Sequence, residues 1–321
     1  MPCPPITVLI PAYNAMRTIG RALASVWHQN YPEMEVIVVD DGSTDETGDE
    51  IRKIRSCNLR LIQLGKNRGV SAAMNAGILE ARTDYVAFLD ADDEWLDNKL
   101  LTQVPILESH PEMSFIACGG ESVNLEGQVF RTFGLELPPY SPREFWRALL
   151  FKSYVAKPTV IARRAKLLEA GGFVEAFKIS EDQDMWIKLA LNGEVGFVPQ
   201  VLVRVHDTPD SLTKRHAARE EEVLLPMIRQ HLSRLSSRLS RREMRQILGQ
   251  RYAAMGRNLY PRCPSRGAAL VIRGILLGNR PLQNLTYLVW AAPPVIRIKM
   301  YLRSRSRSSA ENPDTGRYTE S

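Results

Sequence analysis

Three short apolar runs in the first third of the chain each end in a cluster of polar residues. The runs are ITVLIPAYN, VIVVDDGSTDET and YVAFLDADDEW, and their polar clusters occupy residues 11–14, 40–43 and 90–93. Apolar runs of this length are typical of strands that are buried on both faces of a parallel sheet. Because ligands bind at the carboxyl ends of such strands, we expect the three clusters to meet along one edge of the sheet.

Helical patterns separate the apolar runs. Ile19, Leu23, Val26 and Trp27 recur at spacings that place them on one helical face, and SAAMNAGILEA is a second helical segment. LRLIQLG, which precedes this second segment, adds a further strand. The alternation of strands and helices predicts a doubly wound α/β sheet flanked by helices.

The composition is that of a folded protein with one large domain and an appendage, or with two domains. The 321 residues are 44% hydrophobic and 24% charged, which is enough for a substantial core. The four cysteines form no CxxC pair, which disfavours a zinc site or a disulfide framework and favours a reducing compartment. The N-terminal residues lack the pattern of a signal peptide, so we expect a cytoplasmic protein.

Charge is distributed unevenly along the chain. From Ser211 onward there are 21 Lys and Arg against 7 Asp and Glu, whereas the first 210 residues hold 21 against 29. The longest apolar run of the basic part, residues 285–296, is shorter than the ~20 residues that a spanning helix needs. Apolar segments flanked by arginine favour an anionic membrane surface as partner, and packing of a small helical domain on the body is the alternative. We expect no nucleic-acid partner, because no recognised binding module surrounds the arginines.

The acidic cluster after the third apolar run indicates a bound cation. Asp90, Asp92 and Asp93 follow a strand with no basic residue among them, and such crowding is destabilising without a counter-ion. No GxGxxG follows the first strand, and the chain contains no GxxxxGK[ST] phosphate loop. Carboxylates can instead bind Mg²⁺ or Mn²⁺, which then bridges to nucleotide phosphates, although solvated acidic turns are also common.

The chain contains, in this order, VLIPAYNAMRTIGRALASVWHQNYPEMEVIVVDDGSTDET, NRGVSAAMNAGILEARTDYVAFLDADDEW, GGFVEAF, SEDQDMWIKLA and VRVHDTPDSLT. These five segments resemble family 2 glycosyltransferases of the bacterial type, in the order and at the spacing of that family. The resemblance implies the GT-A fold, a Rossmann-like mixed sheet flanked by helices, for residues 1–214. We expect a basic amphipathic helical extension over residues 215–303 and a disordered tail over residues 304–321. The family transfers a sugar from a nucleotide diphosphate sugar to an acceptor hydroxyl, usually with inversion at the anomeric carbon and with a divalent metal.

The resemblance also implies roles for residues on the nucleotide side. Pro11, Ala12 and Tyr13 touch the nucleotide, Asp41 hydrogen-bonds the base edge with Asp40 beside it, and Arg68 and Gly69 lie at the diphosphate. A guanidinium suits a diphosphate, and a glycine lets the backbone approach closely. An ordinary turn aromatic and a surface cation are the alternatives for Tyr13 and Arg68.

The triplet Asp90, Ala91 and Asp92 matches the DxD motif of the family. The resemblance assigns Asp92 directly to the metal, and Asp90 to the metal through water or to the sugar and ribose. His206 completes the metal shell, or it is a structural loop histidine. We expect Asp93 to cap a helix that continues through Leu96 and Leu100.

SEDQDMWIKLA supplies the catalytic carboxylates. Asp182 matches the catalytic Asp of the family and would take the proton of the attacking hydroxyl, while Glu181 orients the site or binds acceptor. A carboxylate that only stabilises the N-terminus of a helix is the alternative for Asp182. Asp184 lies near the start of the same helix. Lys157 stands where relatives usually have Asn before Pro-Thr, so acceptor contacts are not transferred to this segment.

We therefore predict a cytoplasmic glycosyltransferase, peripheral at the inner face of the plasma membrane, that acts on a glycan or lipid-linked acceptor. The lack of a QxxRW motif favours transfer of a single sugar, and UDP-sugars and Mn²⁺ are the favoured donor class and ion. The alternative is an inactive GT-A scaffold that binds nucleotide. Nucleotidyl transfer is disfavoured because PAYNAMRT is not a glycine-rich basic loop. No sequence feature specifies an oligomeric state.

Overall fold

The structure is a computed structural model that describes residues 3–54, 56–136, 140–207 and 220–278. The chain divides into two compact units between His231 and Leu232. The predicted domain boundary at residue 214, the predicted apolar run over residues 285–296 and the predicted tail from residue 304 lie outside the described residues.

Nine strands of the described ranges form one mixed sheet in the first unit. They are β1 Ile6–Ala12, β2 Met34–Asp40, β3 Leu59–Gln63, β4 Tyr85–Phe88, β5 Glu94–Trp95, β6 Met113–Val123, β7 Val129–Phe133, β8 Ile161–Arg163 and β9 Glu194–His206. The order is β3-β2-β1-β4-β8-β6-β9-β5, with β7 paired to β6. The first four strands are parallel, β8 is antiparallel to its neighbours, and β9 is parallel to β6. The predicted mixed sheet flanked by helices is confirmed.

Helices follow most of the strands. They are α1 Ile19–Trp27, α2 Thr47–Lys53, α3 Val70–Glu80, α4 Lys99–Ser109, α5 Phe145–Phe151, α6 Arg164–Glu169, α7 Glu181–Leu191, α8 Glu220–Arg234, α9 Arg241–Leu259 and α10 Pro264–Leu276. Two 3₁₀ turns cover Pro142–Glu144 and Lys157–Thr159. Ile19, Leu23 and Val26 of α1 are buried, as the helical spacing predicts.

The core lies on both faces of the parallel strands, which explains why these strands read as continuous apolar runs. All seven residues of β1 and all four of β4 are buried. Trp186 of α7 packs its ring 5.6 Å from Phe88 of β4 and 6.1 Å from Phe173, centroid to centroid. Burial of such an aromatic cluster stabilises the contact between α7 and the end of β4, and truncating a core Trp costs about 3–5 kcal/mol.

The second unit contains α9 and α10, which approach closely. α9 begins with a capping box between Ser240 and Glu243. A Cβ added to Gly256 of α9 would lie 2.7 Å from the carbonyl oxygen of Gly267 of α10, so only glycine allows this approach. In the part of the chain that the structure describes, no helix has the length and apolarity required to cross a bilayer.

Candidate active site

The carboxyl ends of β1, β2 and β4 lie side by side, because these three strands are parallel neighbours. Ala12 of β1 is in register with Asp40 of β2, and Leu9 of β1 is in register with Phe88 of β4. The N–H of Asp41 donates to the carbonyl of Ala12 over 2.8 Å. The polar clusters at residues 11–14, 40–43 and 90–93 therefore follow strands that end at the same edge of the sheet.

Asp41 holds the loop that leads into α3. Its carboxylate oxygens accept from the backbone N–H groups of Arg68 and Gly69, both over 2.7 Å, and its side chain is buried. Gly69 has a φ of +99° and Gly42 a φ of +71°, conformations in which glycine is favoured. A Cβ on Gly42 would lie 2.5 Å from the carbonyl carbon of Lys66. These two hydrogen bonds of Asp41, here called the Asp41 clamp, join loops that are 27 residues apart, and they were not predicted. Contact of Asp41 with a base edge stays a prediction.

The remaining predicted nucleotide contacts lie around this clamp. Asp40 is buried and accepts from the N–H of Ser43 over 2.9 Å and from Nε2 of Gln63 over 3.2 Å, so it orders the turn after β2. Pro11 and Ala12 are buried at the end of β1, whereas 46% of Tyr13 is exposed. Of these residues, Tyr13 has the side chain that is free to stack against a ligand.

Two cations lie at the N-terminal end of α3. The exposed guanidinium of Arg68 is 3.3 Å from the carboxylate of Glu175. Nζ of Lys178 donates to the carbonyl of Arg68 over 3.3 Å. The segment that carries Glu175 and Lys178 thus meets the loop at residues 66–69, and the two cations add to the positive end of the helix.

Asp93 joins the acidic cluster to β9. Only 4% of Asp93 is exposed, and its Oδ1 accepts from the N–H of His206 over 3.0 Å. Burial raises the pKa of Asp93 well above its usual value, and the nearby carboxylates of Asp90 and Asp92 raise it further. The predicted helix-capping role of Asp93 is wrong, because α4 begins only at Lys99 and the strand pairing brings β9 to this carboxylate instead.

Asp92 is the half-buried second carboxylate of the triplet. Burial and the charge of Asp90 raise the pKa of Asp92, while Lys157 and Arg21 lower it. Nη2 of Arg21 donates over 2.6 Å to the carbonyl of Asp92, which fixes the turn. A carboxylate whose ionised form is disfavoured in this way is stabilised when a cation binds, so the surroundings of Asp92 are compatible with a hard divalent ion.

The ring of His206 hydrogen-bonds to Glu94 and not to Asp90 or Asp92. Its Nε2 is 2.9 Å from Oε1 of Glu94. Arg204 lies beside it, 2.6 Å from Glu121 and 3.4 Å from Glu94. Within the described ranges, no three or more His, Cys, Asp and Glu side chains are grouped so as to hold a metal ion. Metal ligation by His206 stays a prediction.

The start of α7 carries the predicted catalytic carboxylates. Ser180 has a φ of +60° and leads the chain into the helix, where Oδ1 of Asp182 accepts from the N–H of Gln183 over 2.7 Å. Burial raises the pKa of Asp182 to about 7, and the adjacent carboxylate of Glu181 adds to the rise while Lys157 opposes it. A carboxylate with a pKa near neutrality can accept a proton during a reaction and release it afterwards.

Lys157 links the two acidic groups of the site and was missed as a site residue by the sequence reasoning. Its Nζ lies 2.6 Å from Oδ1 of Asp90 and 4.0 Å from Oε1 of Glu181, and only 8% of the residue is exposed. Burial alone would lower the pKa of Lys157, but the carboxylates of Asp90 and Glu181 outweigh this and hold it above its usual value. The available signal was a single lysine within an otherwise apolar stretch.

Asp184 anchors α8 on α7. Its Oδ1 lies 2.8 Å from Nε2 of His231, and its Oδ2 lies 2.6 Å from Nζ of Lys188, with Asp184 and His231 both buried. Burial tends to raise the pKa of Asp184, but the hydrogen bonds from His231 and Lys188 lower it below its usual value. This third carboxylate of α7 is therefore occupied by contacts between helices.

Comparisons with known proteins give one consistent family. Residues 7–170 match the sequence profile described as "Glycosyl transferase family 2". Two relatives from Escherichia coli, WfaP and WfgD, are each named UDP-Glc:alpha-D-GlcNAc-diphosphoundecaprenol beta-1,3-glucosyltransferase. WfaP is 28% identical over 190 residues, 59% of this chain and 71% of its own. WfgD is 26% identical over 193 residues, 60% of this chain and 72% of its own.

Solved structures share the fold at low sequence identity. Residues 1–349 of S. aureus TarS superpose with a TM-score of 0.60 and 22% identity, over 90% of this chain and 81% of that one. The complex of the same TarS segment with UDP-GlcNAc has a TM-score of 0.57 and 22% identity, over 89% of this chain and 90% of that one. The mannosyltransferase PcManGT from Pyrobaculum calidifontis, in complex with GDP-Man and Mn²⁺, has a TM-score of 0.53 and 19% identity, over 91% and 89%.

Proposed function

Because the chain belongs to glycosyl transferase family 2, we propose that it is an inverting, metal-assisted enzyme that moves one sugar from a UDP-sugar to a hydroxyl of a lipid-linked or other glycan acceptor. The observation that carries the proposal is the presence of two carboxylates at the site: Asp92, in the turn after β4, and Asp182, at the start of α7. One group suits a cation on the diphosphate and the other suits proton transfer.

The donor is proposed to bind across the carboxyl ends of β1 and β2. Tyr13 offers an exposed ring for the base, and the loop at residues 66–69, held by Asp41, leads the diphosphate to the start of α3. Arg68 and Lys178 supply positive charge at that point. A uridine donor is supported by the names of the E. coli relatives and by the UDP-GlcNAc complex of the structural neighbour.

A divalent cation is proposed at Asp92, with the diphosphate as its other ligand. The Mn²⁺ of the PcManGT complex supports a metal of this kind in a related fold, and Mg²⁺ has the same preference for oxygen ligands. When bound, the cation would stabilise the negative charge that develops on the departing diphosphate. The structural support for this assignment is the half-buried position of Asp92, in a turn that Arg21 fixes at the sheet edge of the proposed donor site.

Asp182 is proposed to remove the proton of the acceptor hydroxyl as that oxygen attacks the anomeric carbon. Attack on the side opposite the diphosphate forms the new glycosidic bond, breaks the bond to the diphosphate oxygen and inverts the anomeric centre. The pKa of about 7 matches a base that works near neutral pH. Glu181, which is buried beside Asp182, would position the base and the acceptor.

The acceptor is proposed to be linked to a lipid, and the protein to lie at a membrane surface. The two E. coli relatives are named for a diphosphoundecaprenol-linked acceptor. In the second unit, α10 exposes Ile272 by 48% and Leu276 by 72%, and exposed Arg266 and Arg273 lie on an adjoining part of the helix surface. An exposed apolar strip beside arginine suits the interface of an anionic bilayer.

Thermal stabilisation by nucleotides tests this proposal. We expect UDP, in preference to GDP, CMP and dTDP, to raise the melting temperature of the full chain in the presence of Mn²⁺. Asp92→Ala should remove the Mn²⁺-dependent part of the shift, whereas Asp49→Ala, at an exposed position on α2, should retain it. A purified protein that responds to none of the four nucleotides would contradict the donor assignment.

A turnover assay separates an enzyme from a nucleotide-binding scaffold. UDP release in the presence of a UDP-sugar and membrane lipid extract should fall at least about 10²-fold in Asp182→Asn, because loss of a general base has an effect of this size. The same variant should still be stabilised by UDP and Mn²⁺. Equal UDP release by Asp182→Asn and the parent protein would contradict the role of Asp182, and binding without any turnover would favour the scaffold.

A further inference from the structure

Lys157 places a permanent positive charge inside the acidic site. Its Nζ is 2.6 Å from Oδ1 of Asp90, a distance typical of a charge-assisted hydrogen bond. The side-chain exposures are 10% for Lys157 and 26% for Asp90, so water screens this pair only weakly. Asp90 therefore already has a cationic partner supplied by the protein.

The backbone around Lys157 is held on several sides. The residue begins the 3₁₀ turn Lys157–Thr159, whose carbonyls accept from core side chains: Pro158 from Nε1 of Trp95 and Thr159 from Nε2 of Gln103, each over 3.0 Å. The carbonyl of Val160 accepts from the N–H of Phe88, the last residue of β4. The turn is thus tied to the strand that carries Asp90, and the ion pair is positioned in advance of any ligand.

The pair is also costly to break. A buried ammonium group that gives up its partner is left with an uncompensated charge. The next carboxylate of the site, Oε1 of Glu181, is 4.0 Å from Nζ, at the limit of an ion pair. Asp92 differs from Asp90, since the ion pairs that Nζ of Lys157 forms in the described residues are those with Asp90 and Glu181.

We propose that Lys157 is a positioning residue that keeps Asp90 out of the metal's ligand set, so that a divalent cation is held from the protein side by Asp92. This inference rests on the proposed function and concerns the division of labour inside the same site. One carboxylate of the triplet is neutralised by the protein itself, and the other is left for the ion. The ammonium group also reduces the negative charge of the site before metal arrives, which lowers the repulsion of an incoming diphosphate.

The test is a titration of Mn²⁺ in the presence of saturating UDP, followed by the thermal stability of the full chain. The quantity measured is the Mn²⁺ concentration that gives half of the metal-dependent stabilisation. Lys157→Met, which keeps an unbranched side chain, should lower this concentration about tenfold, since it frees Asp90 as a second carboxylate ligand and removes a positive charge near the ion. A lysine with only a structural role would not give tighter metal binding when it is removed.

Charge-neutral variants of the two carboxylates complete the comparison. Asp90→Asn should leave the half-saturating concentration of Mn²⁺ within about twofold of the parent protein, whereas Asp92→Asn should raise it at least tenfold. Asp49→Asn on α2 is the control for loss of one acidic charge outside the site. The double variant Lys157→Met with Asp90→Asn buries no unpaired charge, and its half-saturating concentration of Mn²⁺ should again resemble that of the parent protein. It replaces the single variant if Lys157→Met does not fold.

The possible results separate this inference from the proposed function. The role of Lys157 would be overturned if Lys157→Met bound Mn²⁺ more weakly than the parent protein. It would also be overturned if Asp90→Asn or the double variant lost as much Mn²⁺ affinity as Asp92→Asn. Either result would leave the glycosyltransferase proposal intact. Stabilisation of the parent protein by UDP that does not depend on Mn²⁺ would overturn the role of Lys157 together with the proposed metal, but would support the proposed donor. No stabilisation of the parent protein by any nucleotide would contradict the donor assignment and this inference together.

Discussion

Replacement of Asp41 by Asn tests whether one buried carboxylate holds the proposed donor loop. The substitution keeps the shape of the side chain and removes its charge. In the structure, one carboxylate oxygen accepts from the N–H of Arg68 and the other from the N–H of Gly69, both over 2.7 Å. An Asn side chain has one acceptor oxygen, and its NH₂ group would face the second backbone N–H, donor against donor.

The expected loss follows from these two contacts. A hydrogen bond to a charged group contributes about 1.5–3 kcal/mol, and a buried N–H left without an acceptor costs a further 1–3 kcal/mol or so. The remaining bond to the neutral amide is weaker than the one it replaces. We therefore expect Asp41→Asn to lower the free energy of unfolding by about 3 kcal/mol. The loss cannot exceed the free energy needed to detach the loop at residues 66–69. Once this loop detaches, water hydrogen-bonds its N–H groups and the penalty for leaving them unpaired disappears.

Urea denaturation followed by far-ultraviolet circular dichroism measures this difference. The midpoint should fall while the slope of the transition stays constant, since the substitution does not change the surface exposed on unfolding. Asp49→Asn is a matched control at an exposed carboxylate paired with Arg52, and it should change the free energy of unfolding by no more than about 0.5 kcal/mol. If Asp41→Asn and Asp49→Asn were equally stable, the clamp would not hold the loop as the structure indicates.

Three further changes test other contacts. Gly42→Ala should lower the free energy of unfolding by about 2 kcal/mol more than Gly65→Ala, measured with urea, because both have positive φ but only Gly42 faces backbone at 2.5 Å. Because the pKa of Asp182 is raised from 3.8 to about 7 in the folded protein, stability should fall as the pH rises from ~4 to ~7, by roughly 1 kcal/mol per pH unit at most, and Asp182→Asn should remove this slope. His231→Ala should cost about 2 kcal/mol at neutral pH, and because the folded-state pKa of Asp184 then lies closer to its unfolded value, less stability should be lost as the pH falls below ~4.

Each of these three expectations has a result that would contradict it. Equal stabilities of the two alanine variants at Gly42 and Gly65 would mean that the contact with Lys66 relaxes. A pH slope that persists in Asp182→Asn would assign it to another group. If His231→Ala lost as much stability at low pH as the parent protein, Lys188 alone would set the pKa of Asp184.

Much of the fold was predictable because its signals are local. Burial on both faces makes each parallel strand a continuous apolar run, and the loss of burial at the strand end is visible as the polar clusters at residues 11–14, 40–43 and 90–93. The helical spacing of Ile19, Leu23 and Val26 identified the buried face of α1 in the same way. Local signals of this kind also carried the resemblance to family 2 glycosyltransferases, which the family match confirms.

The arrangement inside the site depends on contacts between distant parts of the chain. Lys157 meets Asp90, Asp41 meets the backbone at Arg68, and His231 meets Asp184 across separations that no local pattern reveals. The prediction for Asp93 failed for the same reason: its position suggested a helix cap, but the pairing of β5 with β9 brought the N–H of His206 to its carboxylate.

The sequence by itself determined the alternation of elements, the edge of the sheet at which polar residues collect and the family, because periodicity and strand-end polarity are properties of neighbouring residues. Only the tertiary structure decided which carboxylate is paired with a protein cation, which is half-buried beside Glu181 with a pKa of about 7, and which holds a loop or a helix in place. Those roles follow from distance and burial, and these depend on the order and register of strands that pair across the whole chain.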